Sequence, residues 1–359
     1  MSSLKKHFLV LFLFVTFISN AQTSGFTFCD WDKITLNPKY IPNENDTAIV
    51  FISVRNYFPD KPEFLDYELD TAHALHYFTI FFNKKKWICV PKQNLEDAFA
   101  GAAINRDIVV YGEGMGKVFP GNVDRATRLT RTYNVLTVMF DWPTYHPDLS
   151  GGKNYKKARS QSTEVAKSMC DFFTELEKIK PKVKTDSSNL TLLLHSLGNR
   201  LLKEAVNNNF IAAKTKLFHH IVLNAPCVKK WGHKKWLEKL NIQYEIYLTR
   251  NNKDRTLNLA RLAGFAEQLG RHWGAAKAKN VVYLNFSPVL GKEHNYFLLR
   301  NVLAEHPDIK AIYSDIFHNR KINFDDEKKF IKQNNGRVIT LVNPDITDRD
   351  INIGISIGN

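Results

Sequence analysis

Three side chains that together could carry out acyl transfer occur in order along the chain: Ser196, Asp254 and His294. A serine hydroxyl becomes a strong nucleophile when a histidine accepts its proton and a carboxylate orients that histidine. Each residue follows an apolar run that is typical of a buried strand. We therefore predict a Ser-Asp-His catalytic triad. The alternatives are that Asp254 only caps a helix and that His294 is a surface or capping residue.

The segment around Ser196 has the pattern of a strand, a sharp turn and a helix. Such a turn lifts the serine hydroxyl out of the sheet. It also places the next backbone N–H, that of Leu197, at a helix start, where it can stabilise an oxyanion. We assign a second oxyanion donor to the backbone N–H of Glu113, in the glycine-rich loop 112–116. This loop lacks the Gly-Lys-Ser/Thr ending of a nucleotide-binding loop.

Strand-like and helix-like runs alternate along most of the chain. The predicted strands are 47–54, 86–90, 107–111, 135–140, 190–195, 217–224, 243–249 and 280–286. The predicted helices are 122–133, 157–176, 198–208, 256–269 and 295–304. Alternating elements with continuously apolar strands indicate an α/β fold, with a mostly parallel central sheet and helices on both faces. Near the C-terminus, we predict a helix at 325–333 and a strand at 337–342.

The N-terminus has the pattern of an export signal. Lys5 and Lys6 precede the apolar run 8–18, and small residues then lead to Ala21. This predicts a signal peptide at 1–21, cleaved after Ala21, and a secreted or periplasmic protein; an uncleaved membrane anchor is the alternative. We divide the rest into an N-terminal leader at 22–45, a catalytic domain at 46–305 and a C-terminal extension at 306–359. The chain of 359 residues is 44% hydrophobic, which is enough for one large core.

The formal net charge is +14. Such an excess suits an anionic partner such as a membrane surface, although scattered lysines also serve solubility. Two tryptophans lie among five lysines in 229–239, which predicts either a lid that contacts anionic lipid or an ordinary solvated helix. A second basic-aromatic patch is Lys84 to Trp87. No nucleic-acid-binding motif is present, so we expect no nucleic acid partner.

We expect no metal and no cofactor. His73 and His76 have the spacing of one helical face, and His219 and His220 lie in a strand. No carboxylate or cysteine pattern completes a metal site around either pair, and we interpret both as structural. The four cysteines have neither zinc-site nor disulfide-framework spacing.

Several segments resemble the alpha/beta-hydrolase superfamily, and in particular a bacterial group of unknown function. Residues 194–199 read L-H-S-L-G-N, which is similar to the A-H-S-M-G-N nucleophile elbow of that group. Further similar segments are 140–144, 155–160, 223–226, 252–257 and 291–296. The resemblance covers about 105–300. It implies the alpha/beta-hydrolase fold, with Ser196, Asp254 and His294 as the triad.

The sequence departs from that group at three positions. Leu194 is larger than the usual small residue, the oxyanion loop begins with Tyr111 instead of histidine, and Cys227 stands where an aspartate is common. We predict an exported serine hydrolase that cleaves a small-molecule or lipid ester, or a related acyl bond, through an acyl-enzyme intermediate. Leu194 and Tyr111 favour the alternative, a non-catalytic binding protein of the cell envelope. A third possibility is a phospholipase that works at an anionic membrane surface.

Overall fold

Apolar runs rich in valine, isoleucine and leucine form the strands of one large sheet, because β-branched and apolar side chains pack well on a pleated surface. The computed structural model describes residues 30–83, 86–102, 106–183, 189–212, 215–264 and 266–342. A 3₁₀ helix (Asp30–Lys33) precedes the first strand. The strands are β1 (Ile34–Leu36), β2 (Thr47–Ser53), β3 (Arg55–Tyr57), β4 (Leu65–Leu69), β5 (His76–Asn83), β6 (Lys86–Lys92), β7 (Ile108–Gly112), β8 (Leu136–Asp141), β9 (Leu190–His195), β10 (Phe218–Asn224), β11 (Gln243–Arg250), β12 (Val281–Asn285), β13 (Phe330–Gln333) and β14 (Val338–Leu341).

The central sheet has the strand order β1-β6-β5-β2-β8-β7-β9-β10-β11-β12-β14-β13. The block from β2 to β14 is parallel throughout. Strand β5 runs antiparallel to both β2 and β6, and the edge strand β13 runs antiparallel to β14. Every residue of β7, β8 and β9 is buried, so both faces of the sheet centre are covered. The predicted fold class, an alpha/beta-hydrolase fold with a mostly parallel sheet, is confirmed.

Helices follow most of the parallel strands. They are α1 (Leu95–Ala100), α2 (Phe119–Tyr133), α3 (Gly151–Val183), α4 (Gly198–Asn207), α5 (His233–Leu237), α6 (Arg255–Gly264), α7 (Arg300–Glu305) and α8 (Pro307–Phe317). The apolar face predicted for the long helix α3 is buried, including Val165, Met169 and Phe172. In the described part of the chain, no helix is long and apolar enough to cross a membrane. The predicted signal peptide lies outside the described residues.

Two of the differences between the sheet and the sequence-based prediction concern β5 and β13. His76 begins β5, and His73 lies in the preceding turn with φ of 55°, so the two histidines do not share a helical face. The run Tyr77–Phe82 is rich in aromatic residues, which favour a strand once β2 and β6 supply hydrogen-bonding partners. The helix predicted at 325–333 was wrong, because 330–333 pairs with β14 as strand β13.

The segment after residue 305 packs into the same sheet and core. Strand β14 pairs in parallel with β12, and helix α8 buries Tyr313 against the sheet. Tyr313 donates its hydroxyl proton to Asn224 at the end of β10. His318 Nδ1 lies 2.5 Å from an oxygen of Asp107, just before β7. These contacts join the C-terminal segment to strands at the centre of the sheet.

Candidate active site

The backbone turns sharply at Ser196, directly after strand β9. Ser196 has φ of 53°, in the left-handed region that non-glycine residues rarely occupy. Its N–H donates to Asn224 O at 3.0 Å, and its carbonyl accepts from Cys227 N at 2.9 Å. The buried amide of Asn199 donates to carbonyls of the same turn, including that of Ser196 at 3.0 Å. Strand β10 and helix α4 therefore hold Ser196 in a conformation that it would not keep alone.

Leu194, the large residue of the elbow sequence, is fully buried against the neighbouring strand. It stands opposite Gly112 in the β7–β9 ladder. A Cβ at Gly112 would lie 2.7 Å from Leu194 Cδ2, so the space for the leucine exists because residue 112 is glycine. The structure thus accommodates Leu194 in the space opposite Gly112.

The glycine-rich loop after β7 lies against the turn. A Cβ at Gly114 would be 2.6 Å from Ser196 Cβ and 3.0 Å from Leu197 N. A Cβ at Gly198 would be 2.7 Å from Gly112 O and 2.8 Å from Glu113 O. The two segments approach this closely because both positions lack a side chain. The backbone N–H groups of Glu113 and Leu197, predicted as oxyanion donors, have no backbone acceptor among the described residues.

Asp254 and His294 are brought together beyond the carboxyl ends of β11 and β12. Asp254 Oδ2 lies 2.6 Å from His294 Nδ1. Its other oxygen, Oδ1, accepts from Leu257 N at 2.9 Å in the first turn of α6. The aspartate is fully buried, and His294 is 10% exposed. The carboxylate therefore caps α6 and contacts the histidine at the same time.

His294 lies next to the turn that carries Ser196. Its ring centroid is 4.6 Å from that of His195, the residue that precedes the serine. Within the described residues, no hydrogen bond joins the Ser196 hydroxyl to His294. Hydrogen bonds between catalytic groups commonly tighten only in the complex with substrate. The three predicted residues are thus assembled around one turn, with the aspartate–histidine contact formed and the serine–histidine contact open.

The carboxylate of Glu113, of which only the backbone N–H was predicted to matter, lies at the centre of a buried network. Its Oε1 contacts His195 Nδ1 and accepts from Gly114 N at 2.7 Å. Its Oε2 accepts from the Tyr111 hydroxyl at 2.5 Å and pairs with Arg125 Nε at 3.1 Å. An acidic residue directly after a buried strand, between two glycines, was the available signal. That sequence signal did not predict that the ion-pair partner of Glu113, Arg125, would lie on α2.

The charges of this network are balanced inside the protein. Burial raises the pKa of Glu113, but Arg125 and then His195 lower it by more, and the net pKa lies well below its ordinary value. Burial lowers the pKa of His195, and Glu113 only partly offsets this. We therefore assign a neutral His195 that donates its Nδ1 proton to an ionised Glu113. Arg125 also donates to Asn295 at 2.9 Å, which connects the network to the residue after His294.

The two tryptophans of the predicted lid segment 229–239 differ in their exposure. Trp231 is 73% exposed, whereas Trp236 on α5 is 3% exposed and packs inward.

His220 contacts Asn319, and its pKa is lowered by burial. In the described ranges, no group of three or more His, Cys, Asp or Glu side chains is arranged to hold a metal ion. The described cysteines are free and buried: Cys89, Cys170 and Cys227.

Comparisons with known structures return proteins of low sequence identity. An esterase of Pyrobaculum calidifontis is 13% identical over 68% of this chain and 81% of its own, with a TM-score of 0.36. Carboxyl esterase 2 of Tuber melanosporum is 11% identical over 85% and 97%, with a TM-score of 0.39. Brefeldin A esterase, described as a bacterial homologue of human hormone-sensitive lipase, is 12% identical over 87% and 84%, with a TM-score of 0.41.

No curated protein matches the chain. A family model does match, over residues 92–282, and its description is alpha/beta hydrolase of unknown function (DUF900). The matched segment is more than half of the chain, and it contains β7 to β11, the start of β12, the Ser196 turn and Asp254. The protein belongs to this family of alpha/beta hydrolases.

Proposed function

We propose that the protein is an exported serine hydrolase that cleaves an ester or a related acyl bond. The observation that carries the proposal is the 2.6 Å contact between Asp254 and His294, made beside the strained turn of Ser196. A buried carboxylate on Nδ1 of a histidine next to a raised serine is the arrangement that acyl transfer requires. Membership of an alpha/beta-hydrolase family supports the same conclusion.

In the proposed reaction, Ser196 Oγ attacks the substrate carbonyl while His294 Nε2 accepts its proton. Asp254 holds the Nδ1 proton and stabilises the imidazolium that forms. The backbone N–H groups of Leu197 and Glu113 stabilise the oxyanion. His294 then protonates the leaving alcohol, leaving an acyl group on Ser196, which a water molecule hydrolyses with the same histidine as base. No cofactor enters these steps.

The buried network supports this reaction electrostatically. A protonated His195 would lie 4.6 Å from the ring of His294 and would oppose the imidazolium formed in the first step. Arg125 balances the charge of Glu113, and burial keeps His195 neutral. We infer that this pairing leaves His294 as the group that gains the proton during the reaction.

The test is covalent labelling by a fluorophosphonate probe. We expect the parent protein to be labelled on Ser196, as located by peptide mass spectrometry, and Ser196→Ala to remain unlabelled. Ser168→Ala, which removes another buried serine hydroxyl on α3, is the matched control and should label like the parent. Equal labelling of Ser196→Ala and parent, or no labelling of either, would favour a non-catalytic binding protein.

An anionic membrane surface is the further partner that we propose. It is favoured by the exposed ring of Trp231, with Lys230 Nζ 4.7 Å from its centroid. An aromatic ring flanked by lysines suits the interface of an anionic bilayer. We expect Trp231→Ala to weaken binding to phosphatidylglycerol vesicles at low salt. Equal binding of the parent to neutral phosphatidylcholine vesicles would contradict this.

Export is tested by expressing the full chain and sequencing the N-terminus of the exported product, which should begin after Ala21.

A further inference from the structure

A cluster of cationic side chains lies beside the Ser196 turn and is not used by the proposed triad. A series of contacts connects the Ser196 turn to this cluster, and the first is made by Cys227, whose backbone N–H donates to Ser196 O at 2.9 Å. Cys227 Sγ is 4.0 Å from the hydroxyl of Tyr155 on helix α3. The guanidinium carbon of Arg159, one turn further along α3, is 5.4 Å from the centroid of the Tyr155 ring. Arg159 is thus separated from the serine turn by only two side chains.

Gly264 lies beside Arg159 and Tyr155. A Cβ at Gly264 would be 3.7 Å from both Arg159 Nη1 and the Tyr155 hydroxyl. Gly264 ends helix α6, which begins directly after Asp254. The cluster therefore lies next to the C-terminal end of α6, and Cys227 connects it to the serine turn.

A second arginine reaches the same region from helix α4. Arg200 Nε donates to Ser162 Oγ at 2.8 Å, and Ser162 Oγ donates to the carbonyl of Arg159 at 2.7 Å. One guanidinium nitrogen of Arg200 pairs with Glu204 at 2.9 Å. Helix α4 starts directly after the turn of Ser196, and Arg200 lies in its first turn.

The positive charges in this cluster exceed the negative charges. Lys203 is half-buried, and its pKa is lowered by burial and then by Arg200, with smaller contributions from Lys229 and Arg159. Among the described residues, Glu204 is the carboxylate paired here, and neither Arg159 nor Lys203 has an ion-pair partner. Like charges gathered without counter-charges repel each other, and a bound anion would relieve that repulsion. A half-buried arginine fork is suited to binding a carboxylate or phosphate through two hydrogen bonds.

We propose that Arg159 and Arg200 form a subsite that binds an anionic group of the substrate, a carboxylate or a phosphate, beside Ser196. This inference rests on the proposed hydrolase function and adds a substrate class to it. The natural substrate then carries a negative charge within a few bonds of the scissile ester. A neutral ester of the same length lacks the second point of attachment and is the poorer substrate.

The kinetic test uses two soluble esters of equal chain length, the 4-nitrophenyl monoester of adipic acid and 4-nitrophenyl hexanoate. We expect the parent to prefer the anionic ester. Arg159→Gln should lose roughly 10- to 100-fold in kcat/KM on that ester, the range of a charge-assisted hydrogen bond, and stay within about twofold on hexanoate. Arg159→Lys should recover part of the loss. Lys153→Gln, an exposed lysine on the same helix, is the control and should change neither value.

An equal loss on both esters, or no loss on the anionic ester, would overturn the subsite. A binding measurement separates this outcome from failure of the hydrolase proposal itself. Titration calorimetry of the Ser196→Ala protein with adipate and with n-hexyl phosphate should show binding that Arg159→Gln abolishes, whether or not the parent hydrolyses esters. The tighter ligand identifies the anionic group, and no binding of either ligand refutes the subsite.

Discussion

Replacing Asp254 by asparagine separates the two contacts that this carboxylate makes. Asparagine is as good an N-cap as aspartate, so its side-chain oxygen can still accept from Leu257 N, as Oδ1 does at 2.9 Å. The amide NH₂ then faces His294 Nδ1, where the carboxylate oxygen lies at 2.6 Å. A donor at that position requires an acceptor, so the imidazole proton moves from Nδ1 to Nε2. The nitrogen that should accept the serine proton is then already protonated.

We expect Asp254→Asn to have a large effect on activity and a small effect on stability. Reversal of this tautomer in serine hydrolases costs about 10⁴-fold in kcat, and we expect a loss of about 10³- to 10⁴-fold here. The free energy of unfolding should change by less than about 1 kcal/mol, because the cap is kept. Asp254→Ala removes both contacts, so its activity should fall as far and its stability by an additional ~1 kcal/mol for the cap.

The assay combines hydrolysis of a 4-nitrophenyl ester with urea denaturation of parent, Asp254→Asn and Asp254→Ala. Retention of more than a tenth of the parental kcat in Asp254→Asn would refute the assigned role of the aspartate. Equal stability losses in the two variants would refute the cap. Because one residue carries both contacts, a low activity in Asp254→Ala alone would not distinguish the two roles.

Three further predictions follow from buried groups near the turn. Glu113→Gln leaves Arg125 without its buried carboxylate and should lower the free energy of unfolding by about 3–5 kcal/mol. Because the folded pKa of Glu113 lies well below 4.5, that difference should be full above about pH 4.5 and shrink as pH falls, in urea titrations at several pH values. Gly198→Ala should cost about 1–3 kcal/mol through its clash with two carbonyls, whereas Gly152→Ala, with open space, should be neutral. Burial raises the pKa of Cys227 to about 12, so iodoacetamide at pH 8 should modify it in urea but hardly in the folded protein, as read by mass spectrometry.

The sequence was sufficient to predict that Asp254 and His294 lie close together, because neighbouring parallel strands end at the same edge. A polar residue directly after each apolar run must then lie near the others, whatever the loops between them. The same reasoning placed Ser196 at a turn. It did not reveal why Leu194 is tolerated, since the space for that leucine depends on a glycine in the neighbouring strand.

The carboxylate of Glu113 could not be predicted in the same way. Its partners come from a neighbouring helix, from the residue before the serine and from its own strand: Arg125, His195 and Tyr111. These contacts depend on how α2 packs, which local periodicity does not encode. Strand β5 was missed for a related reason, because its pairing with β2 and β6 decides its conformation.

The pairing of β14 with β12 also constrains when the sheet can be completed during synthesis. Asn285 and Thr340 are partners in this ladder although 55 positions separate them along the chain. Until those later residues emerge, the outer edge of β12 exposes unpaired backbone donors and acceptors, to which another chain could add a strand. Self-association at this edge would therefore remain possible until residues 338–340 have emerged and paired with β12.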